Sequence, residues 1–339
     1  MGRADRQAAS TWRLADAPTR RARTLRRFPA RRAPSLPPGE PGGSVARHRT
    51  ICASLGLPMP TIDTGSVTLQ YELDGSGFPL LLLPGLGMRI EGWAPHWPAL
   101  TRQHRVLALD VRGGAGTSVP PGPYSTRQMA DDTAVALERL GLPCVDILGI
   151  SMGGFVAQEL ALAYPNRVRR LVLALTALRP SARGRERLRV ETRLRERPDL
   201  VELGFRELFL WLFDDATFER EGTIDRLVEA AVEAAADEPL EGHRGRVEAC
   251  LAHDCTRRAA GIQAPTLVIG GQADLIYPPA DAAALAAAIP GAHLELIPCS
   301  HALSGSMIRT FDAAVLRFLD SEDLPGHSTP AARAGQISR

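Results

Sequence analysis

The residues of this sequence best suited to chemistry are a serine set among glycines, an aspartate well downstream and a histidine after that. The serine lies in Gly149-Ile150-Ser151-Met152-Gly153-Gly154, between the apolar run Val145–Leu148 and a helix-like segment, Met152–Tyr164. A serine on a sharp strand-to-helix turn stands clear of the sheet. Such a turn brings backbones close together, which the small residues Gly149 and Gly153 permit. The N-terminus of the following helix favours negative charge developing at the serine. A serine hydroxyl is a weak nucleophile until a base removes its proton, and the base needs a carboxylate to orient it.

Position selects the partners. His301 follows the strand-like run Leu294–Ile297, at its carboxyl end, whereas His293 begins that run. His96 and His104 flank an early helix, His243 and His253 fall in a later helical stretch, and His48 and His327 lie in the terminal segments. His301 is therefore the expected base. Asp274 follows the run Thr266–Ile269 in Gly270-Gly271-Gln272-Ala273-Asp274. The interval to His301 holds one helix and one strand, which brings both loops to one sheet edge. Asp110 also ends a strand but precedes the serine, and Asp110-Val111-Arg112-Gly113-Gly114 reads as a structural turn. Acyl transfer further requires two donors for an oxyanion. The expected pair are the backbone N–H groups of Met152 and of Leu86. Leu86 sits in Pro84-Gly85-Leu86-Gly87-Met88, where Gly85 and Gly87 allow close backbone approach.

These residues need a scaffold, and the apolar pattern describes one. Short strand-like runs at Val67–Leu73, Pro79–Leu83, Val106–Asp110, Val145–Leu148, Val172–Leu175, Thr266–Ile269 and Leu294–Ile297 alternate with helix-like segments. The helices include one opened by the capping pair Ser125 and Gln128 and stopped at Gly141, then Met152–Tyr164, Ala280–Ile289 and Met307–Leu319. This order predicts an α/β fold with a mostly parallel sheet covered on both faces. Residues 179–260 contain no strand-like run. They are expected to form a helical insertion that caps the edge where ligands bind.

Composition bounds the remaining possibilities. All forty basic residues are Arg, and the net charge is +2. Twelve of those Arg and only three acids fall in residues 1–58, so residues 59–339 carry 28 basic against 35 acidic side chains. A mildly acidic body argues against a phosphate-backbone binder. Residues 1–58, rich in Arg, Pro and Gly, are expected to be a disordered extension. They read as an overextended start ahead of Met59 or as a basic tail, in preference to a targeting peptide. The domain is then 59–324, with 325–339 a second disordered tail. Cys52, Cys144, Cys250, Cys255 and Cys299 make neither a disulfide framework nor a zinc pattern. No apolar run approaches the roughly 20 residues needed to span a bilayer. The expectation is a cytoplasmic protein with no metal, no organic cofactor, no nucleic-acid partner and no membrane span.

Taken together, the motifs resemble the α/β-hydrolase superfamily over about Met59 to Leu319. LLLLPGLGM resembles its oxyanion loop, ALDVRGGAGTS its D-x-R-G-x-G-x-S turn and GISMGG its nucleophile elbow. APTLVIGGQADLIYPP and LIPCSHA resemble its acid and histidine loops. The chain is similar to capped bacterial members related to 3-oxoadipate enol-lactonases and carboxylesterases. It departs from them at Pro84, where a His is usual, at the displaced glycine of the D-x-R-G turn, and at Ala302-Leu303-Ser304-Gly305-Ser306 after the histidine. The resemblance implies a hydrolase of small-molecule esters or lactones, with Ser151 as nucleophile. The alternatives are C–C bond hydrolysis or cofactor-free perhydrolysis by the same triad and, in another class, a non-catalytic ligand receptor.

Overall fold

A computed structural model of the protein describes residues 59–321. The expectations for residues 1–58 and 325–339 lie outside the described residues. Eight strands form one sheet: β1 (Thr61–Asp63), β2 (Thr68–Gly75), β3 (Phe78–Leu83), β4 (His104–Leu109), β5 (Val145–Ile150), β6 (Val168–Ala174), β7 (Thr266–Gly271) and β8 (His293–Ile297). Their order across the sheet is β1-β2-β4-β3-β5-β6-β7-β8. The pairings of β1 with β2 and of β2 with β4 are antiparallel, and every pairing from β4 to β8 is parallel.

The strands read as continuous apolar runs because both faces of the sheet are covered. Successive side chains point to opposite faces. Leu81, Leu83, Ile147, Leu171, Leu173 and Val268 pack into one core, and Leu80, Leu82, Leu148, Val172 and Ile269 into the other. The first core is closed by α2 (Thr126–Arg139), α3 (Met152–Ala163) and α9 (Pro279–Ala288). The second is closed by the short α1 (Trp97–Leu100) and by α10 (Ser306–Leu319), through Trp97, Leu100, Phe311 and Val315.

Local chemistry fixes several boundaries. Helix α2 starts on a reciprocal capping box: Gln128 N–H donates to Ser125 Oγ at 3.1 Å, and Ser125 N–H donates to Gln128 Oε1 at 3.0 Å. The turn after β4 is tied to α2 by a buried bidentate pair. Arg112 Nε and Nη2 donate to Asp132 at 2.6 and 2.8 Å.

Between β6 and β7 the chain forms five helices: α4 (Ala182–Arg195), α5 (Val201–Leu212), α6 (Asp215–Phe218), α7 (Thr223–Ala236) and α8 (Leu240–Ala252). Helix α8 lies against the loop that follows β4, where a Cβ added to Gly245 would stand 2.5 Å from the Tyr124 ring. Helices α4 and α8 share a buried charge cluster. Arg187 pairs with Glu191 at 2.8 Å, Arg195 pairs with Glu238 at 2.7 Å, and Arg246 also meets Glu238.

Candidate active site

In a parallel sheet, the loops leaving the carboxyl ends of neighbouring strands gather at one edge. Here β3, β5, β6, β7 and β8 deliver Gly85, Ser151, Thr176, Asp274 and His301 to that edge.

Ser151 is the single residue between β5 and α3, with φ 55° and ψ −116°. A non-glycine residue at positive φ is uncommon and signals strain that the surroundings must hold. The surroundings do so with three hydrogen bonds. Ser151 N–H donates to Ala174 O at 3.0 Å, and its carbonyl accepts from Gly154 N–H at 2.9 Å and from Thr176 Oγ1 at 2.8 Å. The flanking glycines are required by space. A Cβ on Gly149 would run into the Gly153 backbone, and one on Gly153 into the carbonyl of Leu83.

Asp274 is 2% exposed, and its carboxylate is completely engaged. Oδ1 accepts the N–H groups of Ile276 at 2.8 Å and Tyr277 at 2.9 Å, and Oδ2 accepts from His301 Nδ1 at 2.8 Å. The other imidazole nitrogen, Nε2, stands 3.1 Å from Ser151 Oγ. The acid and histidine loops are zipped together, because Gln272 N–H donates to Ile297 O at 2.9 Å and Ala273 N–H to Cys299 O at 3.0 Å. The histidine loop is also tied to the inserted helices. Ala302 N–H donates to the carbonyl of Leu212, the last residue of α5, at 2.9 Å. Tyr277 packs its ring 5.7 Å from that of His301, and burial pushes its phenol pKa up.

The other buried histidines among the described residues are occupied elsewhere. His96 Nδ1 meets Asp312 Oδ1 at 2.6 Å, and His104 lies 3.3 Å from Asp320. His243 contacts Arg195 at 2.9 Å, and burial pushes its pKa down to about 3. His253 meets Thr126 Oγ1 at 3.0 Å and stacks on Phe155 at 4.2 Å, and burial pushes its pKa down to about 4. His293 is exposed at the start of β8.

The loop after β3 lies directly against the serine. A Cβ on Gly85 would stand 3.4 Å from Ser151 Cβ and 3.9 Å from its Oγ. Met88 N–H closes the loop onto Gly85 O at 3.1 Å, with Leu86 half-buried and Gly87 at φ 74°. Met152 is the first residue of α3 and is buried.

Three features of this edge go beyond the sequence reading. Thr176 bonds to Ser151 across 25 residues, and its only sequence signal is its place just after β6, the strand beside β5. Tyr277 is legible only as a neighbour of Asp274. Asp110, read as part of a turn, is a buried carboxyl whose pKa is pushed up to about 7 by burial and by Glu91, against the pull of Arg246 and Arg89. Among the described residues, no group of three or more His, Cys, Asp or Glu is arranged to hold a metal ion. No helix there is long and apolar enough to cross a membrane.

Comparison with known proteins follows the same lines. The family described as "alpha/beta hydrolase fold" matches residues 79–305. A relative from Azorhizobium caulinodans named "Putative carbamate hydrolase RutD" is 32% identical over 270 residues, covering 78% of this chain and all of that protein. A crystal structure of a hydrolase from Pseudomonas aeruginosa superposes with a TM-score of 0.71 at 32% identity, over 78% of this chain and 98% of that one. The enol-lactonase from Burkholderia xenovorans superposes with a TM-score of 0.68 at 27% identity, over 77% of this chain and 100% of that one.

Proposed function

We propose that this chain, which belongs to the α/β-hydrolase fold family, is a serine hydrolase that cleaves small-molecule esters or lactones through an acyl-enzyme intermediate. The observation that carries the reading is the unbroken relay from Asp274 Oδ2 to His301 Nδ1 at 2.8 Å and from His301 Nε2 to Ser151 Oγ at 3.1 Å. Both distances fit proton transfer between positioned groups.

In this mechanism Ser151 Oγ–H donates to His301 Nε2. The imidazole takes the proton as Oγ attacks the substrate carbonyl carbon. Asp274 holds the imidazole with Nδ1–H toward itself and stabilises the imidazolium that forms. The N–H groups of Met152 and Leu86 receive the oxyanion. His301 then protonates the leaving alkoxide, the acyl group stays on Ser151, and His301 activates water to release the acid. The chemistry needs neither a metal nor an organic cofactor.

The five helices between β6 and β7 serve as a cap over the substrate. The hydrogen bond from Ala302 to Leu212 supports this, since it joins the insertion to the loop of the proposed base. The enol-lactonase similarity supports the lactone arm, and the carbamate hydrolase named among the relatives adds carbamates to the acyl groups worth screening. The buried thiols Cys250, Cys255 and Cys299 suit a reducing, cytoplasmic setting.

The test is direct. A fluorophosphonate probe is expected to label the protein at Ser151, and Ser151→Ala is expected to abolish both labelling and turnover of p-nitrophenyl esters. Turnover retained by Ser151→Ala would sink the mechanism. A panel of esters, lactones, carbamates and vinylogous diketones then separates ester cleavage from C–C cleavage.

A further inference from the structure

The peptide unit between Ser151 and Met152 carries two groups that matter here. Its carbonyl belongs to Ser151 and its N–H to Met152, the donor assigned above to the oxyanion. In a trans peptide the C=O and N–H point in opposite directions within one rigid plane. Whatever fixes the carbonyl therefore aims the N–H. The ψ of −116° at Ser151 sets the orientation of this plane, and with φ at 55° it lies outside the left-handed well near ψ +45°. Rotation about ψ would relieve that strain and turn the Met152 N–H away from the substrate.

Thr176 opposes the rotation. Its hydroxyl donates to the Ser151 carbonyl at 2.8 Å, and the residue is 1% exposed, so water does not compete for the bond. Gly154 N–H reaches the same oxygen at 2.9 Å, but it belongs to the helix that starts from this turn. Thr176 belongs to a different strand end and anchors the plane from outside. A hydrogen bond to the carbonyl also polarises the peptide and makes its N–H a stronger donor.

Two further residues are shaped to bring this hydroxyl into place. Leu175, immediately before Thr176, has φ 49°, a conformation rare for a non-glycine residue. Gly154 leaves the room that Thr176 fills, since a Cβ there would lie 2.6–2.7 Å from the threonine side chain. The second glycine of the Gly153-Gly154 pair thus has a role distinct from that of the first, which clears the Leu83 backbone. Strain at Ser151, strain at Leu175 and a missing side chain at Gly154 all converge on one hydrogen bond.

We propose that Thr176 is a positioning residue for the oxyanion hole, acting through the Ser151–Met152 peptide plane. The inference rests on the acyl-enzyme reading above and adds to it the residue that keeps the hole formed.

The experiment compares full-length wild type, Thr176→Val, which keeps the shape and removes the donor, and Thr176→Ser, which keeps the donor. Rates on a p-nitrophenyl ester are expressed per serine titrated with fluorophosphonate, and affinity is measured for an alkylboronic acid that mimics the tetrahedral species. Thr176→Val is expected to lower kcat about ten-fold, equivalent to about 1.4 kcal/mol, with KM within about two-fold of wild type. Boronic acid affinity is expected to fall by the same factor, and Thr176→Ser to restore both. Wild-type kcat per titrated serine in Thr176→Val would overturn the inference. So would a change confined to KM, or a loss that Thr176→Ser does not restore. If Thr176→Val does not fold, Thr176→Ala is judged by the same ratios. Turnover retained by Ser151→Ala defeats the acyl-enzyme reading itself. Turnover lost in Ser151→Ala but unchanged in Thr176→Val defeats only the role of Thr176.

Discussion

Replacing Asp274 by Asn tests the relay at its most constrained point. The carboxylate has two unlike sides. Oδ1 accepts the N–H groups of Ile276 and Tyr277, and Oδ2 accepts from His301 Nδ1. An Asn side chain must therefore place its carbonyl oxygen toward the two backbone donors. The flipped amide would set its NH₂ against both of them and leave two buried donors unsatisfied. At about 2 kcal/mol for each such group, the amide is held in one orientation by about 4 kcal/mol, a factor of about 10³. In that orientation the NH₂ faces His301 Nδ1, which must then accept. The imidazole proton moves to Nε2 and faces Ser151 Oγ, so the ring donates where the mechanism needs it to accept. Asp274→Asn is thus expected to lower kcat/KM on a p-nitrophenyl ester by about 10³- to 10⁴-fold. KM should change little, because the substitution alters the proton position and leaves the side-chain shape intact. Initial rates at pH 7.5, with unfolding midpoints measured alongside, give the answer. A folded Asp274→Asn protein within ten-fold of wild type would refute the tautomer argument and remove Asp274 from the relay.

Two further predictions concern stability. Asp110 has its pKa raised to about 7 in the fold, against about 3.9 in an unfolded chain. Its contribution is therefore fully present below about pH 4 and is lost as pH rises toward 7, at about 1.4 kcal/mol per pH unit in that window. Relative to wild type, Asp110→Asn should gain stability from pH 4.5 to 7 in urea titrations, and identical pH dependence in the two proteins would count against the buried carboxyl. Arg112→Ala leaves Asp132 buried without its bidentate partner and is expected to cost about 3–5 kcal/mol in the same assay; a loss below 1 kcal/mol would show that the pair holds little of the β4–α2 junction together.

What could be read from the sequence follows the range of the interactions. The start of α2 was legible because its capping box closes within four residues, Ser125 to Gln128. The apolar runs located seven strands, yet β5 continues through Gly149 to Ile150, and β7 through Gly270 to Gly271, because the ladder to the neighbouring strand persists where hydrophobicity stops. Strand β6 begins at Val168, earlier than its apolar run, since Arg169 and Arg170 find partners in Asp146 and in the Phe318 carbonyl. Three-residue β1 has no periodicity of its own and exists through pairing with β2. The meeting of Ser151, Asp274 and His301 at one place was legible because chain order and strand ends together specify a sheet edge. Thr176 was not, because its bond to Ser151 depends on a backbone turn at Leu175 that a leucine does not announce. The pairing of charges within the inserted helices was equally hidden, since Arg195 and Glu238 stand 43 residues apart.

The hydrogen bond from Ala302 to the carbonyl of Leu212 has a practical consequence for protein engineering. Under the proposed function, swapping the segment between β6 and β7 is an obvious way to try to change which substrates are accepted. That exchange also replaces the backbone acceptor on which the loop beside His301 rests. A graft that ignores the end of α5 is then expected to alter turnover along with selectivity, and its kinetics would be misread as a poor fit for substrate. A graft that retains Leu212-Phe213 and joins the new helices upstream keeps the two properties separable.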